Sequence, residues 1–189
     1  IVFGDWSSDV CSSDLILGPE MKSTGEVMGI DPNFGLAYAK SQFAAGQILP
    51  TQGAVFISVR DRDKPAAVEA AKRFAALGFH LIATKGTAAH LRENGLQVEE
   101  IHKVSEQIRP HAIDKVKNKE ITLIINTSLG ERTVQDSISL RRSALLYKTP
   151  YITTMAGAVA TVTACEALRS GNLTVKTLQE YHHIGELEK

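Results

Sequence analysis

Ile121–Asn126 (ITLIIN) is apolar without alternation, and this run constrains the fold more than any other feature of the chain. A strand wetted on one face alternates apolar and polar residues. An unbroken apolar run is buried on both faces, the habit of a central strand in a parallel sheet. Four weaker strand signals accompany it, at residues 53–60 (GAVFISVR), 79–83 (FHLIA), 97–101 and 150–153. Helical spacing fills the intervals. Residues 64–77 place Val68, Ala71 and Phe74 or Ala75 on one face and close at Gly78, and residues 87–93 end at Asn94-Gly95. A short helix lies within 108–118, a longer one at 134–147, and a helix of small apolar residues at 155–168 closes at Gly171. Repeated strand–helix alternation with buried strands predicts a small doubly wound parallel α/β sheet, helices on both faces and right-handed crossovers. Periodicity places this domain at residues 53–163.

The upstream part reads differently. Residues 1–15 hold four Ser, three Asp and the only Trp, with no period of 2 or 3.6. They are too polar for a signal peptide and lack its basic start. Asp5 to Leu15 (DWSSDVCSSDL) resembles a translated reading frame of a sequencing-adapter oligonucleotide, so residues 1–15 are set apart as non-native. Without them the acidic count falls from 21 to 18 against 21 basic residues. That balance argues against nucleic acid as a partner. No apolar run approaches the roughly 20 residues of a membrane span. Cys11 and Cys165 have no CxxC partner, the six histidines show no HxH or HxxxH spacing, and a reducing cytoplasm is expected. Residues 34–47 place Leu36, Ala39 and Phe43 at helical spacing with Asp31-Pro32 as the start, and 49–53 (LPTQG) reads as a linker.

In an open parallel sheet, ligands bind beyond the carboxyl ends of the strands. Those exits carry Ser58 and then Lys64 after the first strand, Thr84-Lys85-Gly86-Thr87 after the second, His102-Lys103 after the third, and Asn126-Thr127-Ser128 after the fourth. Hydroxyls, ammonium groups and an amide thus converge on one edge, with Asp61 and Asp63 as the carboxylates there. Thr84 to Thr87 lie where a strand turns into a helix, so free backbone N–H groups face outward and Gly86 allows close approach. The set suits a phosphate. Taken singly, a Thr at this place also serves as a plain helix cap, and a Lys as a solvated side chain. Cys165 reads as core, and Arg141-Arg142 as a solvated or interface pair.

LGPEMKSTGEVMGI at 17–30 resembles the segment closing the second ATP-grasp unit of carbamoyl-phosphate synthase large subunits. The stretches SVRDRDK, ATKGTA, KVSE with RPHAID, IINTSLGE, DSISLRRSALLYKTPYITT and AGAVAT are similar, in the same order, to that subunit's C-terminal regulatory domain. The resemblance implies the methylglyoxal-synthase-like fold. It divides the chain into residues 1–15 (adapter-derived), 16–50 (ATP-grasp remnant and linker helix) and 51–189 (regulatory domain). It further implies an allosteric site at which UMP inhibits or IMP activates. Ser58, Lys64, Thr84, Lys85, Gly86, Thr87, Lys103, Asn126, Thr127 and Ser128 would surround the phosphate and ribose. Tyr151 and Thr153 mark a second effector region. Ile152 replaces the acidic residue that ornithine-activated members carry between them, which argues against ornithine.

By the same resemblance the parent makes carbamoyl phosphate from bicarbonate, glutamine-derived ammonia and two ATP with Mg or Mn, for arginine and pyrimidine synthesis. Its partners would be a glutaminase small subunit and further large subunits. The present segment would hold no catalytic residue, metal or cofactor of its own. Two alternatives stand beside this reading. One is a methylglyoxal-synthase-like lyase, which needs a positioned carboxylate base. The other is an oligomerisation module that binds no ligand.

Overall fold

A computed structural model describes residues 27–103, 106, 108–127, 131–171, 173–177 and 179–181, and the side chains of these except 131–135. The adapter-like segment and most of the STGEVMG motif lie outside the described residues. The elements run α1 (Phe34–Ala44), β1 (Ala54–Ser58), a 3₁₀ turn at Asp61–Asp63, α2 (Lys64–Ala76), β2 (His80–Thr84), α3 (Lys85–Glu93) and β3 (Glu99–Ile101). They continue with α4 (Ala112–Lys117), β4 (Ile121–Asn126), α5 (Glu131–Leu146), β5 (Tyr151–Ile152) and α6 (Met155–Ser170).

Five strands form one sheet in the order β3-β2-β1-β4-β5, every pair parallel. This is the doubly wound α/β sheet that the apolar runs predict. The chain winds outward from β1 to β3, returns to the far side of β1 as β4, and ends on β5. The direction of winding reverses between β1 and β4, so right-handed crossovers place the helices on opposite faces. Val55, Ile57, Leu81, Ala83, Leu123, Ile125 and Ile152 pack on one face with residues of α1, α2, α3 and α6. Phe56, Ile82, Ile101 and Ile124 pack on the other with Ala112, Ile113 and Val116 of α4 and Leu140 and Ala144 of α5. Register slips by one residue at the start of the β1–β4 pair, where Thr122 is passed over. Thr122 uses its hydroxyl on the Gln52 and Ala54 carbonyls and fills the space a Cβ on Gly53 would need. Gly53 has φ +117°, a conformation that favours glycine.

One helix face departs from expectation. Leu36, Ala39 and Phe43 were to turn inward on α1, but its buried residues are Gly35, Ala39, Lys40 and Ala44, while Phe43 is exposed. The reason is the close approach of α6. A Cβ on Gly35 would stand 2.6 Å from the Thr163 carbonyl oxygen and 2.7 Å from Ala167 Cβ. Small residues therefore make the closest approach, and Phe34 and Phe43 lie outside it. The helix begins at Asn33, whose side chain accepts from the Leu36 N–H at 3.1 Å, and Asp31 in turn accepts from the Asn33 N–H. The expected linker is pinned too. Leu49 is buried in the α6-side core, Cys165 donates its Sγ to the Pro50 carbonyl at 3.3 Å, and Arg169 donates to the Thr51 carbonyl. Lys40 is buried with its ammonium on Asp31 (2.8 Å), the Ile30 carbonyl (3.1 Å) and the Tyr181 hydroxyl (3.1 Å). This network joins the residues before α1 to the far end of the described chain.

Candidate functional site

The carboxyl ends of the strands finish nearly level. Ser58 pairs with Asn126 across β1 and β4, and Thr84 with Ile101 across β2 and β3. These ends floor an open cleft, lined by Ser58, Thr84, His102, Lys103, Asn126, Asp136 and Ser137 among its polar residues. Phe56, Ala112 and Leu140 form its apolar wall. The cleft therefore sits at the point where winding reverses, the place where open α/β sheets receive ligands.

Each predicted residue has a definite place. Ser58, Thr84, Lys103 and Asn126 line the cleft, one from the exit of each of the four strands. The Ser58 and Thr84 hydroxyls face each other at 3.3 Å. Thr84 holds the N-cap position of α3, yet its side chain makes no capping bond. Its hydroxyl is turned to the cleft rather than spent on its own helix. Lys85 and Gly86 are exposed in the first turn of α3, whose leading N–H groups lack intrahelical acceptors. Lys64 stands beside them, its Nζ 4.0 Å from the position a Gly86 Cβ would take, and pairs with Asp61 at 2.7 Å.

Thr87 and Thr127 do different work. Both are buried. Thr87 Oγ1 accepts from the Val59 N–H at 3.3 Å, and Thr127 Oγ1 accepts from the Arg60 N–H at 3.4 Å. The Thr127 N–H also donates to the Ser58 carbonyl at 3.1 Å. Hydrogen bonding from the Thr127 side chain, with Arg60 beside it, holds the Asp63 carboxyl below the usual carboxylate range. These two threonines thus fix the loop after β1 against α3 and β4. Ser128 lies outside the described residues.

Tyr151 does not line the cleft but bonds to Asn126, which does. Asn126 donates through Nδ2 to the Tyr151 hydroxyl at 2.7 Å and to Ser137 Oγ at 3.3 Å, which fixes its amide between β5 and α5. Burial raises the Tyr151 phenol above its ordinary value, and Arg141 lies over the ring at 5.4 Å. Thr153 is exposed beyond the end of β5, and Ile152 points to the opposite face. His102 is held at the cleft wall by Glu106, its Nδ1 2.9 Å from a carboxylate oxygen, and by a parallel bridge to His111.

α5 adds three residues to the cleft that no strand exit marks. Asp136, Ser137 and Leu140 bring a carboxylate, a hydroxyl and an apolar wall to the cleft. Their spacing (i, i+1, i+4) put them on one side of a helix. Only the crossing of α5 over the end of β4 makes that side a binding wall. Chemically the cleft offers neutral donors at its floor, cations at its rim and one carboxylate opposite. Among the described residues no group of three or more His, Cys, Asp and Glu gathers as metal ligands would, and no helix is long and apolar enough to cross a membrane.

Residues 66–153 match the family described as the MGS-like domain. Over 168 residues the chain is 52% identical to the carbamoyl phosphate synthase large chain of Mesorhizobium japonicum, a match covering 89% of this chain and 14% of that protein. It is 51% identical over 170 residues to the C-terminal section of the same large chain from Methanopyrus kandleri, covering 89% of this chain and 31% of that one. A methylglyoxal synthase structure from Elizabethkingia anophelis has a TM-score of 0.49 and 18% identity, over 60% of this chain and 79% of that one. The chain spans less than a third of the length of either large-chain relative.

Proposed function

This chain carries an MGS-like domain and is homologous to the C-terminal region of carbamoyl phosphate synthase large chains; from that premise we propose that it is the effector-binding domain of such a subunit. The ligand is a nucleotide monophosphate, UMP or IMP, whose phosphate rests on Ser58, Thr84 and the first turn of α3 with Lys64 and Lys103 as counter-charges. Asn126 and Ser137 meet the ribose. The parent subunit makes carbamoyl phosphate from bicarbonate, glutamine-derived ammonia and two ATP with Mg or Mn, alongside a glutaminase small subunit. The domain described here regulates that reaction rather than performing it.

One observation carries the reading: four strands each deliver a polar residue, Ser58, Thr84, Lys103 and Asn126, into a single cleft. Such convergence is not needed for folding. The Thr84 hydroxyl, bonded to Ser58 in the cleft instead of capping its own helix, adds to it. Neutral donors and lysines suit a phosphate, because ammonium groups supply point charge while hydroxyls and N–H groups supply direction.

Asp136 favours a second reading. It places in the cleft a carboxylate of the kind that proton abstraction from a triose phosphate requires. Calorimetric titration with UMP and IMP, run beside a turnover assay on dihydroxyacetone phosphate, separates the two. Saturable heat at micromolar nucleotide without turnover supports the effector domain. Turnover replaces it with a methylglyoxal-synthase-like lyase, and silence in both leaves a module for subunit contacts.

A further inference from the structure

Lys64, the first residue of α2, is a cation beside the cleft that is already paired. Lys64 Nζ is 2.7 Å from an Asp61 carboxylate oxygen, while the same ammonium lies 4.0 Å from the empty Cβ position of Gly86. Lys64 is therefore held against the first turn of α3, where the phosphate of the proposed ligand would sit. Its partner is the solvated member of the pair, the Asp61 side chain being 94% exposed and that of Lys64 only 22%. Asp63, two residues on, is engaged differently. It is bound to Arg60 at 2.6 Å and serves the loop.

We propose that Asp61 is a resident counter-ion on Lys64, which an incoming phosphate displaces. This inference rests on the phosphate reading of the cleft and specifies how the empty site is kept. Hydrogen bonding to Lys64 holds the Asp61 carboxyl below its usual range, so the group is ionised at neutral pH. An exposed carboxylate–ammonium pair is weak in water, and exchange is correspondingly easy. A phosphate dianion attracts the ammonium about twice as strongly as a carboxylate at the same distance. Neutral molecules gain nothing from the exchange. Asp61 thus sets a threshold that a doubly charged group clears, and it keeps Lys64 aimed while the site is empty.

Calorimetry with UMP on the full chain tests this. Asp61→Asn removes the competing charge with little change of shape, and UMP affinity should rise by about three- to tenfold at low salt. The gain should shrink as ionic strength increases. In a Lys64→Met background most of the gain should vanish, because no ammonium remains to be released. Unchanged or weaker binding by Asp61→Asn would overturn the proposal and make Asp61 a positioning residue only. An equal gain with and without Lys64 would also overturn it, leaving long-range repulsion as the cause. Absence of any wild-type heat with UMP or IMP is a separate outcome. It removes the phosphate reading itself and this inference with it.

Discussion

The two faces of the sheet are covered unequally. On one, α2, α3 and α6 pack against seven inward strand residues, and α1 adds a further layer upon α6. On the other, the cover is α4, six residues long, and α5, whose Leu145 and Leu146 are 74% exposed. The cleft opens on this thinner side, with Phe56, Ala112 and Leu140 belonging to the smaller core and to the cleft wall at once. A short helix leaves the strand ends unroofed, and those ends are where four loops place their polar residues. The thicker side is closed by packing and holds the sheet in shape. Stability and recognition are therefore expected to separate by face.

Phe74→Ala gives the largest expected effect. Phe74 is fully buried on the thick face and meets Phe79 edge-on at 5.5 Å between ring centres. Its truncation should cost about 3 to 5 kcal/mol, from lost transfer energy plus the cavity. Urea denaturation measures the loss. Nucleotide affinity of the molecules that remain folded should not move, and a parallel fall in affinity would break the division between faces.

Lys103→Ala is the converse. Lys103 is an exposed cleft residue, so its removal should weaken UMP binding by about 1 to 3 kcal/mol, the range for one charge-assisted hydrogen bond. The melting temperature should hardly change. Unaltered affinity would remove Lys103 from the site, and a lower melting temperature would show that the thin face also bears load.

The two faces also differed in how far they could be read in advance. Continuous apolar runs revealed the strands, because burial on both sides leaves no polar alternation, and parallel topology then placed Ser58, Thr84, Lys103 and Asn126 on one edge. What stayed hidden depends on distances between elements remote in sequence. Gly35 faces α6 because two backbones nearly touch, which no count of apolar residues along α1 discloses. Asp136 and Ser137 become cleft residues only through the path of α5. The Thr87 and Thr127 hydroxyl oxygens also accept from the Val59 and Arg60 amides, a loop-fixing role that their motifs do not disclose. A motif identifies a loop; which of its side chains face the solvent is decided by the neighbouring strand.

The smallest expected effect tests whether the thick face relies on charge as well as packing. Arg73 of α2 grips Glu166 of α6 with two hydrogen bonds, at 2.9 and 2.6 Å, and also donates to Thr163 Oγ1 at 2.7 Å. Arg73 holds the Glu166 carboxyl below its ordinary value near 4.5. A depressed carboxylate stabilises the fold above its unfolded value, and that contribution is lost as pH falls through the folded one. Glu166 is more than a third exposed, so solvent screens the pair to about 1 kcal/mol or less. Melting temperatures of the wild type and Glu166→Gln, followed from about pH 6 to pH 3, should therefore differ at the upper end and converge at the lower. Other carboxylates, among them Glu99 on Lys115, lie below their usual values too, so both proteins lose stability in acid and only the difference reports Glu166. A constant difference across the range would mean that the Gln variant changes packing rather than charge. No difference at any pH would leave apolar contact as what joins α2 to α6.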